Sequence, residues 1–95
     1  MEFIWVGTTQ KAFDNIWSRH FGEDEIVEYK LRLLDQIEGK IDLMKTSVPV
    51  NHRDWQGNFK IIVDKYIVYY SFSDNENTCY IEYFKHMSQK NELER

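Results

Sequence analysis

The residues of this 95-residue chain whose types suit chemistry are few: His20, His52, His86, the lone Cys79, and a C-terminal half in which lysines sit among tyrosines. The three histidines lack metal-ligand spacing and Cys79 has no second cysteine beside it, so neither a metal nor any other cofactor is expected. Gly7, Gly22, Gly39 and Gly57 are scattered and form no phosphate-cradling loop. No serine or cysteine nucleophile motif is visible. The pair Lys85-His86 remains, with Lys60, Arg53 and the aromatics Trp55, Tyr66, Tyr80 and Tyr83. Cleavage of RNA by its own 2′-OH needs a base, an acid and positive charge for the phosphorane. Histidine exchanges a proton near neutral pH, Lys and Arg supply charge, and aromatic rings stack unpaired bases.

Each of these residues also has a plainer reading. A single histidine at a strand end is more often a hydrogen-bonded surface residue. Lys60 and Lys65 read as solvated edge charges, and tyrosines mostly pack sheets. Arg53 in a loop says little alone. Cys79 reads as a small buried apolar residue.

The elements that position these residues follow from periodicity. Residues 2–6 read as a strand, and Thr8 or Thr9 as the cap of a first helix running to about Phe21, with Phe13, Ile16, Trp17 and His20 on one stripe. Gly22 is placed as its stop. Glu23-Asp24-Glu25 opens a second helix whose apolar stripe is Val27, Leu31, Leu34, Ile37 or Glu38, Ile41 and Met44. Gly39 interrupts it at a cost of about 1 kcal/mol relative to Ala, which marks a kink or an early end. Residues 46–58 read as a loop punctuated by Pro49 and Gly57. Strands follow at 59–63, 66–73 and 78–85, joined by Asp64-Lys65 and Asp74-Asn75-Glu76-Asn77. Strict alternation places Lys60, Glu82 and His86 together on the exposed sheet face, with Glu82 and His86 about 13 Å apart along the strand. The expected fold is α+β: an N-terminal strand, an α-helical hairpin, then a three-stranded antiparallel meander.

A chain of this length fits a single domain, 1–95, and its 42% hydrophobic and 16% aromatic content can supply a core. The start has neither a basic segment nor a long apolar run, and one cysteine forms no internal disulfide, so a cytoplasmic protein without a membrane anchor is expected. The net charge of −4 argues against broad, tight nucleic-acid binding. The charge is uneven: residues 45–95 carry seven basic and seven acidic side chains, which allows a local cationic surface.

The layout resembles the RelE/ParE toxin family over nearly the whole chain, to about Lys90. The likeness rests on the first strand, the helical pair with a proline-containing loop, Asn-Phe-Lys-Ile-Ile-Val-Asp-Lys-Tyr-Ile-Val-Tyr-Tyr, and Cys-Tyr-Ile-Glu-Tyr-Phe-Lys-His. Lys60, Tyr66 and Lys85-His86 stand where the family carries a basic residue, an aromatic after the hairpin turn, and a basic-His ending. The resemblance implies a type II toxin–antitoxin toxin, held inactive by a cognate antitoxin in a hetero-oligomer or itself a homo-oligomer. RelE-like members cut mRNA in the ribosome without a metal. Carried onto this chain, His86 is the acid or base, Lys60, Lys85 and Arg53 hold phosphate, and Tyr66 or Tyr83 stacks a base. The alternative is a ParE-like gyrase inhibitor without enzymatic activity, or a degenerate, inactive member that only binds a protein partner. Lys60 replaces the family's common arginine with a point charge that lacks the bidentate fork.

Overall fold

Short runs of β-branched and aromatic residues bounded by turn-formers become four strands, and two helices cover one side of them. The computed structural model describes residues 1–16 and 22–88. The strands are β1 (Glu2–Trp5), β2 (Phe59–Val63), β3 (Tyr66–Phe72) and β4 (Thr78–His86); the helices are α1 (Thr9–Asp14) and α2 (Glu23–Met44), with a single 3-10 turn at Arg53–Trp55. The sheet order is β1-β4-β3-β2. The meander β2-β3-β4 is antiparallel as expected, but β1 adds to β4 in parallel, so the sheet is mixed. A parallel pair needs a long crossover, and the chain between β1 and β4, which includes both helices, supplies it.

Local chemistry explains the turns. Val63 pairs with Tyr66, so the first hairpin loop is only Asp64-Lys65, with Asp64 at a φ of 52°. That left-handed conformation is more tolerable for Asp than for most residues, and the Tyr29 hydroxyl of α2 donates to its carboxylate. In the second turn Glu76 takes φ 58°, and Asn75 Oδ1 accepts from Ser73 Oγ (2.9 Å) and from the Asn77 N–H (3.0 Å). The first part of the loop 46–58 lies along the outer edge of β2: the Lys60 N–H donates to the Val48 carbonyl and Pro49 bridges Phe59. That contact blunts one edge of the sheet.

Several helical expectations change. Thr8 is the N-cap of α1 but makes no side-chain cap; the Thr9 hydroxyl instead donates to the Val6 carbonyl at 2.6 Å. α1 ends at Asp14; residues 17–21, including Trp17, His20 and Phe21, lie outside the described residues. Gly22 starts α2 rather than stopping α1, and its N–H donates to Glu25 Oε1 at 3.2 Å. α2 runs unbroken through Gly39. Its buried residues are Leu33, Ile37 and Ile41, whereas Val27 and Leu31 are 57% and 62% exposed. The core stripe is therefore rotated from the expected one. Leu33, Ile37 and Ile41 meet Ile61, Val63, Val68, Tyr70, Cys79 and Ile81 from the sheet. α1 closes the other end, where Phe13, Trp5 and Phe84 pack with ring centroids 5.0–5.8 Å apart.

One irregularity decides which side chains share a face. Tyr69 pairs with Tyr83, but Tyr70 pairs with Ile81, which leaves Glu82 without its own partner. This is a β-bulge: two residues of β4 oppose one of β3. Ile81 and Phe84 both face the helices as a result, and Glu82 and Tyr83 both face outward. Without the bulge, alternation from Ile81 would turn Tyr83 inward and expose Phe84, the more apolar ring. Phe84 is 8% exposed.

Candidate functional site

The bulge divides the sequence-predicted residues into two groups on opposite sides of the sheet. On the outer face, Lys60, Tyr69 and Tyr83 form one cross-strand row in register. Neighbouring strands lie about 4.8 Å apart, so Lys60 and Tyr83 are roughly 10 Å apart across Tyr69. Ile62, Ile67 and Lys85 make the next row. Trp55 caps the first row, with its ring 5.2 Å from Tyr69 and 5.5 Å from Tyr83, and the two tyrosine rings are 4.9 Å apart. Arg53 is exposed at the start of the 3-10 turn that carries Trp55. That turn is held by its own residues: His52 Nδ1 accepts from the Asp54 N–H at 3.2 Å. Glu82 belongs to the same face, and its carboxylate accepts from Ser71 Oγ at 2.7 Å.

His86 and Tyr66 lie on the other side. Tyr66 pairs with His86, stacks on the buried Phe84 at 4.8 Å and 12°, and meets the His86 ring edge-on at 5.2 Å. The shared exposed face for Lys60, Glu82 and His86 is thus corrected: Glu82 stays with Lys60, and the extra residue in β4 turns His86 toward the helix side. His86 lines an open cleft of ≈ 450 Å³ with Ala12, Asn15, Ile16, Tyr66, Phe84, Lys85 and Ser88. The Ser88 N–H donates to His86 Nδ1 at 3.0 Å, and Ser88 Oγ lies 2.6 Å from the same nitrogen. An Nδ1 that accepts places the proton of the neutral ring on Nε2, by the logic of the hydrogen bond. Burial, then the Asp64 carboxylate, raises the Tyr66 hydroxyl pKa, offset in part by a hydrogen bond with Tyr29.

Lys60, Tyr83, Trp55 and Arg53 therefore belong to the outer face and its rim, His86 and Tyr66 belong to the cleft, and Lys85 has an outer-face register position while also lining the cleft. Sequence reasoning passed over Tyr69, the middle of the row; the period-2 pattern of β3, in which Ile67, Tyr69 and Ser71 share a face, was the signal for it. Glu82 was seen, but its pairing with Tyr83 on one face required the bulge. Among the described residues no three His, Cys, Asp or Glu side chains cluster in a way that holds a metal ion, and no helix is long and apolar enough to cross a membrane. No family model, curated protein or solved structure matches this chain.

Proposed function

We propose that this chain is a RelE/ParE-like toxin of a type II toxin–antitoxin pair, and that it meets single-stranded mRNA in the ribosome through the outer sheet face. The observation that carries the reading is the row Lys60–Tyr69–Tyr83 with Trp55 over it. Tyr69 is itself buried beneath Trp55, so the rings left for an unpaired base are the half-buried Trp55 and Tyr83, while Lys60, Lys85 and Arg53 neutralise phosphates. The acid–base group beside this row is the carboxylate of the unpaired Glu82, which accepts from Ser71 Oγ and suits a general base toward a 2′-OH. His86 reaches the same strand only around the sheet edge, so cleavage depends on Glu82 and Lys60 more than on His86.

Induced expression of the chain tests this, with growth and the integrity of ribosome-bound mRNA as readouts. Wild type is expected to arrest growth and cut mRNA. Glu82→Gln lowers cleavage by about 10²-fold or more, the usual contribution of a positioned acid or base. Lys60→Ala lowers it too, and His86→Ala leaves it within a few-fold. A wild-type chain that neither arrests growth nor cuts mRNA ends the toxin reading.

A second reading, a gyrase inhibitor or inactive member that acts only by binding, is favoured by His86 lying on the opposite side with Nδ1 already engaged by Ser88. Under it, growth arrest survives both Glu82→Gln and His86→Ala while mRNA stays intact, and DNA supercoiling reports the effect.

A further inference from the structure

α2 carries seven acidic and three basic side chains, a balance equal to the −4 of the whole chain. At 3.6 residues per turn, Asp24, Val27, Glu28, Leu31, Asp35 and Glu38 fall within about 100° of arc, and none of Lys30, Arg32 or Lys40 does. Two of those cations turn to the chain's own backbone: Lys30 Nζ donates to the Asp14 carbonyl and Lys40 Nζ to the Ile62 carbonyl, each at 2.5 Å. The arc is not the core stripe. Val27 and Leu31 are more than half exposed, while half-buried Leu34 joins this strip to the core. Burial and then the neighbouring Asp35 carboxylate raise the Glu38 pKa. At the margin of the arc stands Gly39, where an added Cβ would meet nothing within 4 Å. The chain's own packing therefore does not require glycine there.

We infer that this face of α2 docks a basic amphipathic helix of a protein partner, with leucine-type residues on Val27 and Leu31 and lysines or arginines on the flanking carboxylates. The charge excludes the other occupants. A second copy of the same face would set acid against acid. RNA and anionic lipid carry the wrong sign. A helix matches the arc in shape and, at 1.5 Å per residue, a partner of about five turns covers it. The inference does not depend on the RNA reading of the outer face and holds for a chain that touches no RNA.

The test uses the full chain and two labelled 20-residue helical peptides, one with lysine and arginine flanking a leucine stripe and one with glutamate in their place. Fluorescence anisotropy measures binding, and backbone amide NMR shifts map it. The basic peptide is expected to bind and to shift residues 24–42, and the acidic one is not. Leu31→Ser weakens binding roughly tenfold or more, as does Asp35→Lys, with unchanged melting curves because both sites are exposed. Rising salt weakens binding too. Lys60→Ala changes nothing here, and Leu31→Ser leaves any mRNA cleavage intact, which separates this surface from the outer face. The inference is overturned if the basic peptide does not bind, if both peptides bind alike, or if the shifts map to the outer face. A dimer in sedimentation equilibrium that Leu31→Ser abolishes also overturns it, since the occupant is then a second copy.

Discussion

At the scale of single residues, the buried polar groups set the chain's response to pH. Tyr70 is fully buried, and its hydroxyl donates to the Lys45 carbonyl at 2.5 Å. Lys45 closes α2 with a φ of 46°, so this bond satisfies a helix-end carbonyl that the turn leaves free. Burial, with Cys79 nearby, pushes the Tyr70 hydroxyl up to about 12, and burial followed by Glu38 and Glu82 pushes the Cys79 thiol up to about 12. Both groups are neutral when protonated and hold the proton more tightly in the folded state. Their contribution is thus complete below the unfolded values, near 9 for Cys and 10 for Tyr, and is lost as pH rises toward 12. Chemical denaturation should show stability falling from pH 9 to 12. Tyr70→Phe should cost about 1–2 kcal/mol at pH 7, roughly 5–15 °C in Tm, and should make the alkaline fall shallower. An unchanged alkaline slope in that variant contradicts the assignment.

At the scale of elements, most of the sheet was legible because strands announce themselves by composition. The spans 59–63, 66–73 and 78–85 match β2, β3 and β4 to within a residue or so, and Asp64-Lys65 and Asp74–Asn77 are the turns. The parallel pairing of β1 with β4 joins Phe3 to Cys79, a contact across most of the chain, and no local pattern encodes it. Two apolar stripes run along α2 about a quarter-turn apart, and periodicity alone could not say that Leu33-Ile37-Ile41 is buried and Val27-Leu31 is not. The candidate site failed at one residue. Alternation was sound up to Ile81, and the unpaired Glu82 reversed everything after it, moving His86 away from Lys60. Deleting Glu82 tests this register. A regular ladder through Ile81 and Tyr83 keeps Phe84 inward, so the shortened chain should stay folded with an amide NMR spectrum close to wild type for β2 and β3. If strict alternation held in the parent, the same deletion would flip Tyr83–His86 and unfold the domain.

At the scale of the whole molecule, the acidic net charge and the proposed RNA-binding face are compatible because they lie on different layers. The helix layer holds charge equal to the whole −4, while Lys60 and Lys85 point out of the opposite side of the sheet. The shortest dimension of the molecule is 22 Å. The screening length is about 10 Å at 0.1 M salt and about 30 Å at 0.01 M, so the two layers are electrically separate at the first and coupled at the second. This gives an unusual salt dependence for binding a short single-stranded RNA, read by fluorescence anisotropy. At 0.1 M, the Arg53→Ala/Lys60→Ala/Lys85→Ala variant should bind several-fold more weakly than wild type, and Asp35→Asn/Glu38→Gln should bind the same as wild type. At 0.01 M the second variant should bind more tightly than wild type, because the α2 charge then reaches the RNA through the fold. Equal binding by wild type and the triple alanine variant at 0.1 M would remove the outer face as an RNA surface, whatever the behaviour at low salt.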